Sequence, residues 1–309
     1  MKAAAFVTLS SLLVFAYCVA CADEVLPKEL PAGTVRYLIG GDARDDTVGV
    51  VPWAFDQAKE RGASAFIFLG DMELTPALDK RFKEQLAQLQ PIPFFPVLGN
   101  HEVEAFGFLP VRCIERLFGK DPEKRFRDEF LGTQETAVNS VFSNRVVYSV
   151  DLPGDGVHFI ALDNVSQKGF GKAQMDWLTS DLQAAKAAPR TKYIIVGMHK
   201  ALAGSGVTKH AMDEDGDAAI KESNAALTLF QTYGVVMIFA SHKHEFAQFR
   251  QGGVPSYITG GMGAPLGRGD PEHAFHHVLQ LDVTAAGLNV TVIRFNNPPR
   301  SDPDTEDDE

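Results

Sequence analysis

Pro93-Phe94-Phe95-Pro96-Val97-Leu98-Gly99-Asn100-His101-Glu102 is a short apolar run that stops at a glycine followed by two side chains able to bind a metal. A continuous apolar run of strand length, bounded by Pro and Gly, reads as a strand buried on both faces. The same pattern recurs along the chain. Val35-Arg36-Tyr37-Leu38-Ile39-Gly40-Gly41 ends at Asp42, and Ala65-Phe66-Ile67-Phe68-Leu69-Gly70 ends at Asp71. Tyr193-Ile194-Ile195-Val196-Gly197-Met198 ends at His199, and Val235-Val236-Met237-Ile238-Phe239-Ala240-Ser241 ends at His242-Lys243-His244. Segments of helical period separate the runs, so the sequence predicts an α/β fold. In open α/β sheets the functional crevice lies beyond the carboxyl ends of the strands, which would let five endings converge on one site.

Each ending alone has an ordinary explanation. Asp or Asn after a strand usually makes a turn or caps a helix, and a single His there is usually solvated or hydrogen-bonded. The conjunction carries the argument: two Asp, one Asn and three His follow buried-strand patterns, mostly beside Gly or another small residue that lets the backbone turn and leaves room for an ion. Carboxylate, amide oxygen and imidazole without thiolate suit Mn, Fe, Zn or Co better than calcium or copper(I). Six such groups exceed one tetrahedral zinc site. They fit two ions that share a carboxylate about 3.5 to 4 Å apart, make a nucleophile of water and clamp the oxygens of an in-line displacement. Phosphate-ester hydrolysis is the natural reaction.

The set Gly41-Asp42, Gly70-Asp71, Gly99-Asn100-His101-Glu102, Gly197-Met198-His199 and Ser241-His242-Lys243-His244 resembles, in order and approximate spacing, the five ligand motifs of the calcineurin-like metallophosphoesterase superfamily, which includes the purple acid phosphatases. Tyr148 to Asp151, Val157 to Asp163, Gln174 to Leu178, Gly260 to Pro265 and Phe275-His276-His277 resemble the central and final segments of secreted members. The resemblance implies a four-layer α/β/β/α sandwich of two mixed β-sheets flanked by helices. It implies two divalent or trivalent metal ions (Mn, Fe or Zn). Asp71 would bridge them, Asp42 and His244 would bind the first, and Asn100, His199 and His242 would complete the second. His101, beside a ligand, would face substrate, either donating a proton to the leaving oxygen or stabilising transition-state charge.

The chain departs from the family where a His should follow two residues after Asp42. Arg44 stands there, and a guanidinium has no lone pair for a metal. Purple acid phosphatases compensate with a Tyr after the second motif, where this chain has Leu74. Arg44 is expected to fork onto two phosphate oxygens, the plainer alternative being a salt bridge to Asp45 or Asp46.

Outside the motifs, 45% hydrophobic residues exclude disorder throughout, and three Cys in 309 residues exclude a disulfide scaffold. Met1-Lys2, the apolar Ala3 to Ala16 and the small residues Ala20-Cys21-Ala22 read as a signal peptide over 1–22. Cys18-Val19-Ala20-Cys21 also resembles a lipoprotein site, which makes a lipid anchor at Cys21 the alternative. A metallophosphoesterase domain is expected over 23–299, followed by an acidic disordered tail over 300–309. The formal net charge of −11 without a basic stripe argues against nucleic acid as the main partner. No segment approaches the roughly 20 apolar residues of a membrane span.

The expected protein is an exported metal-dependent phosphoesterase, periplasmic or secreted, hydrolysing phosphomonoesters or small phosphodiesters with a metal-bound hydroxide. The alternatives are a catalytically weak phosphate-binding relative, impaired at its first metal site by Arg44, and a surface binding protein anchored through Cys21. Glu102 to Phe130 and Ala203 to Glu222 are expected to shape the substrate walls. His210, His273, His276 and His277 could reach the site, and the first two are expected to be only solvated. Asn164-Val165-Ser166 and Asn289-Val290-Thr291 fit glycosylation acceptors.

Overall fold

The structure, a computed structural model, describes residues 30, 32–72, 76–103, 126, 138–141, 146–154, 156–206, 210–267 and 272–296. The expected leader with Cys21, the position of Leu74, most of the stretch from Glu102 to Phe130, and the acidic tail lie outside these residues.

All five runs form strands: β1 (Val35–Gly40), β2 (Ala65–Phe68), β3 (Phe94–Pro96), β7 (Tyr193–Gly197) and β8 (Val235–Ala240). The others are β4 (Val138–Val141), β5 (Tyr148–Asp151), β6 (Val157–Ala161), β9 (Phe246–Gln251), β10 (Val254–Thr259), β11 (His277–Thr284) and β12 (Gly287–Arg294). Among the described residues they make two mixed sheets, ordered β12-β11-β1-β2-β3 and β4-β5-β6-β7-β8-β10-β9. The five runs therefore do not lie in one open sheet. Strands β1, β2 and β3 run parallel in the first, whereas β7 and β8 run parallel in the second.

Alternation along β2 shows why its sequence is apolar throughout. Phe66 and Phe68 turn outward against α1 (Val50–Glu60) and α2 (Pro76–Leu89), with Phe66 5.3 Å from Phe55 and Phe68 5.5 Å from Phe82 between ring centroids. The opposite face meets the second sheet, where a Cβ on Gly197 would lie 3.1 Å from Leu69 and 2.7 Å from the Phe159 ring. Each buried Phe contributes about 1.5 to 3 kcal/mol relative to exposure. Two buried tyrosines pin the layers: the Tyr148 hydroxyl donates to the Pro96 carbonyl at 2.8 Å and that of Tyr37 to the Pro153 carbonyl at 2.9 Å.

A short α3 (Asn100–Val103) follows β3, while α4 (Gly171–Ala187) and α5 (Asp217–Tyr233) flank the second sheet and bury Leu178, Leu182, Ala226 and Phe230. Asp46 caps α1, accepting from the Val50 and Val51 N–H groups at 2.7 and 3.0 Å. Behind the second sheet, His158 is clamped between Asp151 at 2.8 Å and Asp181 at 3.0 Å, and Asp181 also accepts from Ser149 at 2.7 Å. This triad ties β5 and β6 to α4. Among the described residues no helix is long and apolar enough to cross a membrane.

Candidate metal centre

The strands stop short of the sequence runs because the chain turns sharply before each ligand. Gly70 has φ +96°, and a Cβ there would lie 2.6 Å from the Gly99 Cα; a Cβ on Gly99 would lie 2.2 Å from the Asp71 nitrogen. Only glycine lets these two turns cross. Asp42, Asp71 and His242 themselves adopt φ of 60°, 58° and 65°, a left-handed conformation uncommon for non-glycine residues and concentrated at functional sites.

These turns bring the six expected ligands together. Asp42, Asp71 and His244 offer ligand atoms within 4.8 Å of one another, as do Asp71, His199 and His242, so Asp71 belongs to both groups. The Asn100 amide oxygen lies 2.8 Å from His199 Nε2. Asp42, Asp71 and Asn100 come from the first sheet and the three histidines from the second.

Spacing and hydrogen bonding fit cations. Donors about 2.1 Å from a shared ion stand roughly 3.0 to 3.4 Å apart. His199 Nε2 lies 3.4 Å from Asp71 and 3.1 Å from His242 Nδ1, while His244 Nε2 lies 3.6 Å from Asp42. The separations of 3.4 and 3.6 Å are too long for good hydrogen bonds. Asp42 Oδ1 and Asp71 Oδ2 are buried without a hydrogen-bond partner. Burial and the charge of Asp71 hold the Asp42 carboxyl well above the ordinary carboxylate range, which is the response of a pocket short of positive charge. Burial pushes His242 and His244 below the usual imidazole value, toward the neutral form that binds metals.

The ring nitrogens are assigned by their partners. His199 Nδ1 donates to the Leu69 carbonyl and His244 Nδ1 to the Pro265 carbonyl, both at 2.7 Å, leaving each Nε2 lone pair toward the carboxylates. The Ser241 hydroxyl donates to the same Leu69 carbonyl at 2.6 Å. Glu102 accepts from the N–H groups of Asp71, Met72 and Gly99 at 2.7 to 2.9 Å and so binds the second and third motifs together. Burial and the nearby Asp71 charge push its carboxyl up to about 8, against those three donors. The sequence displays Glu102 within its motif; nothing in it indicates the role.

His101 Nε2 lies 3.6 Å from Asp71 Oδ2, and the His101 backbone N–H donates to Asp71 Oδ1 at 2.9 Å, so the half-buried ring stands at the rim of the shared carboxylate. Arg44 enters with φ 44°, and its N–H donates to the Asp71 carbonyl at 3.1 Å. Its Nε is buried without a hydrogen-bond partner. Among the described residues no ion pair joins Arg44 to Asp45 or Asp46, and the Asp46 carboxylate is taken up in capping α1.

Three expectations need correction. His210 does not stand apart: its ring lies 5.5 Å from that of His242, and it groups with Glu214 and His242. His277 is buried between Phe246 and Phe275 and is a core residue. Asn164 is fully buried, its amide donating to the Lys200 carbonyl at 2.7 Å, so a folded chain cannot present it for glycosylation.

The fold is shared with proteins of different description. A structure described as GAP50, the anchor in the inner membrane complex of Plasmodium, is 15% identical, with a TM-score of 0.57 and coverage of 84% of each chain. A dimetal phosphatase from Danio rerio is 11% identical, with a TM-score of 0.56 over 84% of this chain and 99% of its own. Purple acid phosphatase PPD1 from yellow lupin (Lupinus luteus) seeds is 13% identical, with a TM-score of 0.55 over 87% of this chain and 55% of its own. No curated protein sequence gives a match. The calcineurin-like phosphoesterase family pattern matches residues 42–246. Because that match takes in all five strand endings and both ligand clusters, the chain belongs to the calcineurin-like phosphoesterase family and is a hydrolase of phosphate ester bonds.

Proposed function

We propose that the chain is an exported phosphoesterase acting on phosphomonoesters or small phosphodiesters through a dinuclear metal centre. The observation that carries this reading is the pair of buried, unpartnered oxygens, Asp42 Oδ1 and Asp71 Oδ2, in clusters that share Asp71. Asp42, Asp71 and His244 would hold the first ion, and Asp71, Asn100, His199 and His242 the second. Ions held there would draw a nucleophile from water near neutral pH and neutralise charge on the phosphate. His101 would give a proton to the leaving oxygen, and Arg44 would fork its guanidinium onto phosphate oxygens. Export rests on the leader read over 1–22. The test measures metal per chain and turnover of monoester and diester panels with Mn, Zn, Fe and Mg, together with the intact mass of exported protein. Two ions with turnover, and a chain beginning at Asp23 or a lipid-modified Cys21, support the reading; turnover without metal, or a full 309-residue exported chain, removes it.

A second reading is favoured by one residue. Arg44 replaces a ligand of the first ion, and a chain that cannot retain that ion becomes a weak, phosphate-binding relative. One ion per chain with phosphate binding but no turnover would select it.

A further inference from the structure

We propose that Glu214 is a positioning residue for His242, fixing the imidazole in the tautomer that turns Nδ1 toward the second ion. The proposal rests on the dinuclear reading above. His199 and His244 both present Nε2, and each Nδ1–H is anchored on a backbone carbonyl that the fold supplies. His242 is turned the other way. Its Nδ1 lies 3.1 Å from His199 Nε2, inside the cluster that includes Asp71, and its Nε2 points outward to Glu214 Oε1 at 3.3 Å. It is thus the one of the three whose outer nitrogen meets a carboxylate in place of a backbone carbonyl.

Glu214 is itself held. It sits on a 3-10 turn, Met212–Asp215, beyond β7 in the Gly- and Asp-rich insert. Lys200, buried although it follows His199 directly, reaches Glu214 at 2.7 Å and Asp215 at 2.9 and 3.0 Å. The Lys200 backbone is in turn paired with the buried Asn164 amide, which donates to its carbonyl at 2.7 Å and accepts from its N–H at 3.2 Å. Asn164, Lys200, Glu214 and His242 therefore form one line of contacts from the end of β6 to the centre. A carboxylate on the outer N–H of a metal-binding imidazole orients the ring and makes the inner nitrogen more basic; losing it commonly weakens metal binding by about 10- to 100-fold.

A different use of the same residues is a cation held by His210, Glu214 and His242. The Lys200 ammonium argues against it, because it already stands 2.7 Å from the Glu214 oxygen and would repel a second positive charge there.

The test titrates metal-free wild type, Glu214→Ala and Glu214→Gln with Zn²⁺, reading stoichiometry and affinity by calorimetry and by metal analysis after dialysis. The melting temperature of each metal-free chain serves as the folding control. In Glu214→Ala the affinity of one of the two ions should fall by about 10- to 100-fold while the other is unchanged. Glu214→Gln, whose amide oxygen still accepts from Nε2–H, should fall between. A general structural defect would weaken both ions and lower the melting temperature. Unchanged affinities in Glu214→Ala overturn the proposal, and so does a third equivalent in wild type that His210→Ala and Glu214→Ala both abolish. Wild-type stoichiometry judges the dinuclear reading separately. With a single ion in wild type that reading fails, and the proposal survives only if Glu214→Ala weakens that ion; with no ion, both fall.

Discussion

Two clusters in this chain each set two aspartates around a histidine, and they come out differently. Around His158 each ring nitrogen has its own carboxylate, and the second oxygen of Asp181 receives the Ser149 hydroxyl. Around Asp42, Asp71 and His244 the ring stands 3.6 Å from the Asp42 carboxylate, and an oxygen of each aspartate is left without a partner. Burial lowers the affinity of His158 for its proton, but the hydrogen bonds that its ring donates to Asp181 and Asp151 outweigh it and raise the pKa. The first cluster thus carries its own positive charge, whereas the second must import one. Acid content does not separate a structural cluster from a ligand site; completeness of hydrogen bonding does.

Crossed substitutions test this contrast. Asp71→Asn should remove measurable turnover and lower metal content at both positions, yet raise the melting temperature of the metal-free chain by relieving repulsion with Asp42. Normal metal content in that variant would erase the distinction between the clusters. His101→Asn should keep both ions and lose about 10²-fold or more on alkyl phosphates, with a smaller loss on nitrophenyl phosphate, whose phenolate leaves without a proton. Equal losses on both substrates would assign His101 to charge stabilisation.

Asp181→Asn should do the reverse of Asp71→Asn. It should leave metal content and turnover intact and cost about 3 kcal/mol in chemical denaturation, the scale for breaking a buried ion pair on one side; both side chains of that pair are 6% exposed. Arg44→Ala should raise KM about tenfold and weaken phosphate inhibition without lowering stability, as expected for losing one charged hydrogen bond. Unchanged kinetics would remove Arg44 from the substrate. The smallest effect concerns pH. Because the folded pKa of His158 is raised, its contribution is complete below the unfolded value of about 6.5 and is lost as pH rises through the folded value. Thermal melts of wild type should weaken across that window, and His158→Gln should flatten the slope.

The ligand-bearing strands were legible because burial on both faces writes itself as an unbroken apolar run, and because the crossing at Gly70 and Gly99 tolerates no side chain. Their division between two sheets came from the family resemblance, which implied a sandwich of two mixed sheets, and not from the local pattern. Pairing such as β1 with β11, where Tyr37 opposes Leu281, joins residues too far apart for any local pattern to encode. The six ligands could be found because each follows a strand, His242 and His244 the same one. Glu214 could not, since it stands among several acids in an insert and acquires meaning only when the fold brings it to His242. His210 escapes a sequence reading for the same reason, as a lone loop histidine whose neighbour lies 32 positions away in the chain.

The origin of the ligands has a mechanical consequence. Each ion would be gripped from both sheets at once, Asp42 and Asp71 on one side and His244 on the other, then Asp71 and Asn100 against His199 and His242. Loaded metal is then a rivet across the seam of the sandwich. At 100 times its dissociation constant a single ion adds about 2.7 kcal/mol against opening, and the gain is felt by β2 and β8 together. Amide hydrogens of the two strands should slow in step as metal is added, so that the parting of the layers becomes a gauge of occupancy that needs no substrate.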